Sequence, residues 1–134
     1  MMDYRGAMLV RVVGRGERIA DLIEEARGRT FVEMVEVAIL RLEEIGRAMV
    51  QGGRDGITFD VGGDPDLETL RMDVAGRPIR VLRIYGHTHP RPTGPSDGDL
   101  EVLATLGQSR SYLFELGGDR DGTLIRPKRR GASA

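Results

Sequence analysis

The 134-residue sequence contains no cysteine and no tryptophan, and Lys128 is its only lysine. Without cysteine, disulfides, thiolate metal ligands and cysteine nucleophiles are all excluded. The single lysine lies in a charged tail, which argues against Schiff-base chemistry. Any metal ion must therefore be held by histidine, aspartate or glutamate.

Long hydrophobic runs and an excess of one charge are also missing. No apolar run approaches the roughly 20 residues that span a bilayer, and the first hydrophobic stretch is broken at Arg11 with no small-residue cleavage site after it. We therefore predict a cytoplasmic protein without a membrane-bound part. The 20 basic and 21 acidic residues give a formal net charge of -1, which argues against nucleic acid as a partner.

The composition, 40% hydrophobic and 31% charged, is that of a globular protein. We predict one domain over residues 1–126 and a basic, flexible tail over residues 127–134. Apolar and β-branched runs bounded by Gly, Pro and Asp predict strands, and i, i+3, i+4 spacing predicts helices, the first of them ended by Gly28. The predicted strands are 7–13, 57–61, 70–74, 79–85, 111–116 and 123–125, and the predicted helices are 18–27 and 96–106. This order predicts an α+β fold with helices packed on a mixed, curved sheet.

Residues 31–50 fit two structures. Phe31, Met34, Ala38 and Leu42 follow one face of a helix, whereas Val35, Val37 and Ile39 alternate as in a strand. Propensity favours the helix. Because the rest of the chain predicts a sheet, we prefer a hairpin with its turn near residues 42–47.

Chemically informative residues are concentrated in residues 85–99. The two histidines of the protein, His87 and His89, are separated by one residue at the end of a predicted strand. Side chains at i and i+2 of a strand project from the same face, so both rings can reach one zinc ion at about 2.0–2.1 Å. After a Pro/Gly loop, Ser96 and Asp99 have the spacing of a helix capping box. Asp99 is also a candidate third ligand, and the two roles are compatible.

The pattern His-Thr-His-Pro, a short loop, then Ser-x-x-Asp resembles the motif of the JAMM/MPN (JAB-like) zinc metalloprotease family. The loop of residues 90–98 is one residue shorter than the commonest family spacing, and is similar to that of bacterial JAB-type domains, some of them attached to toxins. The run Leu-Gly-Gln-Ser-Arg-Ser-Tyr at residues 106–112 is also similar to theirs. The resemblance implies a JAMM/MPN-like (cytidine-deaminase-like) architecture with zinc bound by His87, His89 and Asp99.

The resemblance further implies a glutamate upstream that acts as general base, and a serine that stabilises the oxyanion. Ser96 matches the motif serine. Glu33 and Glu36 are the candidates for the base, and we prefer Glu36 because it opens the most strand-like segment. Either glutamate could instead be a solvated charge on a helix.

The function implied by the resemblance is a zinc-dependent metallopeptidase or isopeptidase that hydrolyses an amide bond through a metal-activated water. Its substrate would be a peptide or protein, with a ubiquitin-like or toxin-related partner. The alternative is a non-catalytic MPN-like binding scaffold or toxin-associated accessory domain. The sequence does not choose the substrate or the oligomeric state.

Overall fold

A computed structural model describes residues 6–62 and 68–127. Within these ranges the chain forms eight strands and two helices, so the predicted α+β class is confirmed. Their order is β1 Met8–Val12, α1 Ile19–Glu33, β2 Val37–Leu42, β3 Gly46–Gln51, β4 Asp60–Gly62, β5 Thr69–Val74, β6 Arg77–His89, α2 Asp97–Leu106, β7 Ser111–Glu115 and β8 Thr123–Ile125. Of the predicted basic tail, residues 128–134 lie outside the described residues. No described helix has the length and apolar character that a membrane span requires.

The strands form one mixed sheet in the order β1-β3-β2-β6-β5-β4. The long strand β6 pairs antiparallel with β2 on one side. On its other side it pairs antiparallel with β5 near its start and in parallel with β7 over Gly86–His89. The end of β6 is therefore held between β2 and β7, where it carries both histidines.

Each helix covers one face of this sheet. Leu22 and Ala26 of α1 pack against Val37, Ile39 and Met49. On the opposite face, a larger cluster includes alternate residues of β2, β3, β5 and β6, with Val102 and Leu106 of α2 packed against it. The residues of that cluster that lie on β2 and β6 are Ala38, Leu40, Leu42, Ile79, Val81 and Ile84. We call the two sides the α1 face and the α2 face.

The prediction that Gly28 ends the first helix is wrong, because α1 continues to Glu33. Glycine in a helix costs about 1 kcal/mol relative to alanine, a penalty that packing can offset. The added turn buries Thr30, whose hydroxyl is hydrogen-bonded to that of Thr88 on β6. Met34 then ends the helix in the left-handed conformation, with its N–H donated to the Thr30 carbonyl.

The preferred hairpin of residues 31–50 is confirmed for β2 and β3, while Phe31 belongs to α1. Four consecutive residues at the start of β2 are buried because the sheet is covered on both faces. Such a run has no clear strand alternation, which explains why the sequence was ambiguous here.

Two further strand predictions need correction. Of predicted strand 57–61, only residues 60 and 61 belong to β4 (Asp60–Gly62), and Thr58 makes an isolated bridge to Gly6. The predicted strand 79–85 is longer in the structure, because β6 extends from Arg77 to His89. Gly86, which follows the predicted strand, lies inside β6, where an added Cβ would meet the Phe114 ring at 3.1 Å and the Tyr112 carbonyl at 3.3 Å.

Candidate metal centre

His87 and His89 lie at the end of β6, on the α2 face of the sheet. Both are buried, with 8% and 4% of their surface exposed. Their Nε2 atoms are 3.2 Å apart. Between them, Thr88 points to the opposite face, where its hydroxyl accepts the Val37 N–H at 3.0 Å. Together with the hydrogen bond to Thr30, this contact holds the end of β6 against β2 and α1, and it therefore sets the direction of both rings.

Asp99 reaches the histidines from the first turn of α2. Its Oδ2 atom lies 3.3 Å from His87 Nε2 and 3.2 Å from His89 Nε2. The same oxygen accepts the Ser96 N–H at 2.9 Å, and the Ser96 hydroxyl accepts the Asp99 N–H at 3.1 Å. The capping box predicted for these two residues is thus present. One carboxylate oxygen caps the helix and faces both rings.

The three facing atoms have the spacing that a tetrahedral ion requires. Ligand atoms at about 2.0–2.1 Å from tetrahedral zinc are about 3.3–3.4 Å from one another. The distances between His87 Nε2, His89 Nε2 and Asp99 Oδ2 are 3.2, 3.3 and 3.2 Å. Two imidazole nitrogens and one carboxylate oxygen are also a common donor set for zinc. The residues present therefore fit a divalent metal ion.

Glu36 is the fourth member of the cluster. It directly precedes β2, where its N–H is donated to the Gly53 carbonyl and its own carbonyl accepts the Gly52 N–H, both at 2.9 Å. Its Oε1 lies 3.6 Å from His89 Nε2, and the ligand atoms of the four residues all lie within 4.8 Å of one another. Glu36 is 7% exposed. It is therefore a buried carboxylate beside the three closely spaced atoms.

Glu33, the other candidate for the base, is not brought to this cluster. It lies in the last turn of α1, where it is exposed and forms an ion pair with Arg29 at 3.1 Å. Of the six residues that the sequence singled out, the structure brings five together around one groove: Glu36, His87, His89, Ser96 and Asp99. Glu33 is thus a solvent-exposed charge on a helix, the alternative that the sequence allowed for either glutamate.

Burial and neighbouring charge change the acidity of these groups. Burial raises the pKa of Glu36 to about 7, and the carboxylates of Asp99 and Asp55 add to this while His89 opposes it. For Asp99 burial acts in the same direction, but hydrogen bonds from His87 and His89 prevail and hold its pKa well below the ordinary value. Burial lowers the pKa of His89, yet Asp99, Glu36 and Glu115 outweigh it and raise that pKa overall. A bound cation would favour the ionised form of each carboxylate.

Glu115 and Thr93 complete the surroundings of His89, and the sequence did not mark either residue. Glu115 Oε2 lies 3.6 Å from His89 Nδ1 and accepts the Gly94 N–H at 2.7 Å. The Thr93 hydroxyl is 3.3 Å from the same ring nitrogen. Glu115 comes from the end of β7, and its closeness follows from the parallel pairing of β7 with β6. No local sequence signal indicates a pairing between strands so far apart in the chain.

A groove of about 440 Å³ opens in front of the cluster. Apolar side chains from the segment before β4 and from α2 form its walls, among them Ile57, Phe59 and Val102. Asp55 and Glu101 add exposed carboxylates, and among the described residues that line it there is no arginine. The groove therefore favours apolar or basic groups over acidic ones.

Comparison of the chain with protein-family models, with curated proteins and with solved structures finds no match. The geometry of the site and the motif described above therefore carry the functional argument.

Proposed function

We propose that the protein is a zinc-dependent metallopeptidase or isopeptidase with a JAMM/MPN-like architecture, and that it hydrolyses an amide bond. The convergence of His87 Nε2, His89 Nε2 and Asp99 Oδ2 within 3.3 Å of one another carries this proposal. These atoms belong to two elements, β6 and α2, which the fold brings together around one buried point.

The two imidazoles and the Asp99 carboxylate would hold the ion. When bound, zinc polarises a carbonyl group and lowers the pKa of a coordinated water towards neutrality. The protein contributes orientation: Asp99 is fixed by the capping box, and the β6 backbone sets the direction of both rings. Thr93 and Glu115, beside His89 Nδ1, favour the tautomer that leaves the Nε2 lone pair free for the ion.

Glu36 has the position of the general base. Its Oε1 takes a proton from the attacking water and returns it to the leaving amine. It stands 3.6 Å from His89 Nε2, farther than the three proposed ligand atoms are from one another, which suits a proton acceptor better than a fourth ligand. Burial keeps competing solvent away from this carboxylate.

Ser96 has the position of the oxyanion donor. It lines the groove, and its hydroxyl oxygen accepts the Asp99 N–H. Because a hydroxyl both accepts and donates, the proton remains available to the carbonyl oxygen of a substrate. A donor held before the reaction costs little reorganisation when charge develops on that oxygen.

The substrate would be a peptide or protein segment that lies in the groove as an extended chain. The apolar walls and the carboxylates of Asp55 and Glu101 favour a segment with apolar and basic side chains. A ubiquitin-like tail and a toxin-related peptide are both compatible with that description. A non-catalytic scaffold would keep the same groove and lack turnover, so hydrolysis distinguishes the two proposals.

The decisive experiment compares Glu36→Gln with Glu33→Gln. Zinc content is measured by elemental analysis, and cleavage is followed with a mixed peptide library and mass spectrometry. We expect Glu36→Gln to retain zinc and lose about 10²- to 10⁴-fold in turnover, the range associated with a lost general acid–base group.

Glu33→Gln removes an exposed carboxylate from the same part of the chain and should leave both readouts unchanged. A wild-type protein that binds zinc without cleaving any peptide would support the scaffold. Normal turnover by Glu36→Gln would remove the proposed base.

A further inference from the structure

The α1 face carries a row of arginines that the proposed metal chemistry does not use. Arg47, Arg41 and Arg83 are direct cross-strand neighbours on β3, β2 and β6. Like charges that face each other across strands are unfavourable unless something compensates them. Nearby groups must therefore compensate the positive charges of this row.

Arg47 is accounted for by backbone carbonyls. Its Nη2 donates to the carbonyls of Gly14 and Glu17 at 3.0 and 2.8 Å. Arg41 and Arg83 are different, because in residues 6–62 and 68–127 no carboxylate forms an ion pair with either. Both are exposed.

Tyr85 holds these two arginines in place. Arg41 donates from Nε to the Tyr85 hydroxyl at 3.1 Å, and the Arg83 guanidinium lies over the Tyr85 ring, 5.5 Å from its centre. The Nη groups of Arg41 thus remain available as donors, and Arg83 keeps a guanidinium fork of the kind that suits carboxylate and phosphate oxygens.

Beside them a hollow of about 190 Å³ lies between α1 and β6–β7. Apolar and aromatic side chains form much of its lining, among them Ile23, Ile39, Tyr112 and Phe114. Arg83 and Arg110 line the same hollow. Arg110, too, has no carboxylate partner in the described part of the chain.

We propose that this hollow, which we call the arginine pocket, binds an organic anion whose aromatic or branched apolar body enters it and whose phosphoryl or carboxylate group is held by Arg83 and Arg110. The anion would supply the counter-charge that the described residues lack. The volume suits a single ring or one branched side chain rather than a whole cofactor, which usually needs about 300–1,000 Å³. Because the arginine pocket lies on the α1 face, its occupancy does not depend on the metal centre.

Isothermal titration calorimetry of the full chain with phenyl phosphate tests this site. EDTA is present throughout, so that no ion in the metal centre can hold the phosphate, and the ionic strength is constant. Inorganic phosphate and benzyl alcohol serve as the anion and the ring alone. We expect phenyl phosphate to bind at least about tenfold more tightly than either, because only it uses both parts of the pocket.

Substitutions then locate the binding. Arg83→Gln and Arg110→Gln should each weaken the binding of phenyl phosphate by at least about tenfold, the cost of losing one charge-assisted contact. Arg83→Lys keeps the charge and loses the forked guanidinium, so its affinity for phenyl phosphate should lie between those of Arg83→Gln and the wild type. These arginines are exposed, so their replacement is compatible with folding, which circular dichroism checks.

Arg80→Gln is the matched control. Arg80 is an exposed arginine of the same strand, and it shares another surface depression with Glu43 and Glu44. An equal loss of affinity in Arg80→Gln and Arg83→Gln would overturn the proposal, as it would show attraction to net charge alone. Equal affinity for inorganic and phenyl phosphate would also overturn it, as would the absence of phenyl phosphate binding.

Discussion

The two faces of the sheet gather opposite charges around the same strand, β6. On the α2 face, β6 contributes His87 and His89, which meet the carboxylates of Glu36 and Asp99. On the α1 face, the same strand contributes Arg83 beside Arg41 of β2. The formal net charge of -1 conceals this separation. Alternation of residues between the faces separates the histidines of β6 from Arg83, and the loop and helix that pack on the α2 face supply the carboxylates of the groove.

The faces also differ in how their charges are satisfied. The acidic cluster is buried, and its groups face one another within 4.8 Å, so an ion between them would relieve their mutual repulsion. The arginines are exposed and largely solvated. Binding of a cation on one face should therefore change stability and acidity far more than binding of an anion on the other.

Removal of a proposed metal ligand should have the largest effect, and it should be confined to the α2 face. His87→Ala and Asp99→Asn should each abolish turnover and lower zinc affinity by more than about 10–100-fold, the loss typical when only a residue that orients a ligand is replaced. Elemental analysis and zinc-induced thermal shift report the metal. Asp97→Asn is the control, since Asp97 is an exposed carboxylate in the same helical turn. Unchanged zinc content in His87→Ala would disprove the site.

Replacement of Ser96 should separate catalysis from stability on the α2 face. Ser96→Gly removes the hydroxyl but remains an acceptable N-cap, so it should cost only about a few tenths of a kcal/mol in unfolding free energy. Loss of an oxyanion donor should reduce kcat by about 10²- to 10³-fold. Urea unfolding and steady-state kinetics measure the two effects. A small decrease in kcat would leave Ser96 only as a helix cap.

Glu115 tests how far the metal centre extends beyond its ligands. Glu115→Gln keeps an acceptor for the Gly94 N–H but loses the charge beside His89 Nδ1. We expect about 10–100-fold weaker zinc binding with little change in metal-free stability. A competition titration with a chelator measures the affinity. Affinity equal to that of the wild type would show that Thr93 alone sets the orientation of His89.

The pH dependence of stability should differ with and without metal. In the metal-free protein the pKa of Glu36 is raised from the ordinary 4.5 to about 7, so folding favours its protonated form. The ionised Glu36 therefore lowers the free energy of unfolding increasingly between pH 4.5 and 7. The total decrease is about 3 kcal/mol, since one pKa unit corresponds to 1.36 kcal/mol. The pKa of His89 is also raised, so protonated His89 stabilises the fold at low pH, and this stabilisation is lost as the pH rises.

We therefore expect the metal-free protein to be less stable at pH 8 than at pH 5 by urea unfolding. Glu36→Gln should reduce the difference. Zinc should reverse it, since metal binding requires deprotonated ligands and strengthens as the pH rises. Below pH 4 the sign changes, because Asp99 has a lowered pKa and its stabilising contribution disappears on protonation. Equal stability at pH 5 and 8 without metal would contradict the interpretation of the buried carboxylate.

Local sequence signals were sufficient where neighbouring residues decide the structure. The capping box of Ser96 and Asp99 and the shared face of His87 and His89 depend on helix and strand geometry alone, and both are present. The end of α1 and the hairpin of β2 and β3 were harder. Burial on both faces and the hydrogen bond between Thr30 and Thr88 determine them, and these arise only from packing.

By itself, the sequence determined which chemistry is available: with no cysteine, and with its two histidines one residue apart, only a His/Asp/Glu centre was open to it. The tertiary structure alone decided which glutamate joins that centre. Glu33 and Glu36 are three residues apart, and both are plausible bases on paper. The left-handed turn at Met34 separates them: Glu33 stays on the helix in solvent, while Glu36 enters the sheet beside His89. The pairing of β6 with β7 brings Glu115 to His89, and its pairing with β2 brings Arg83 to Arg41; no local pattern encodes either contact.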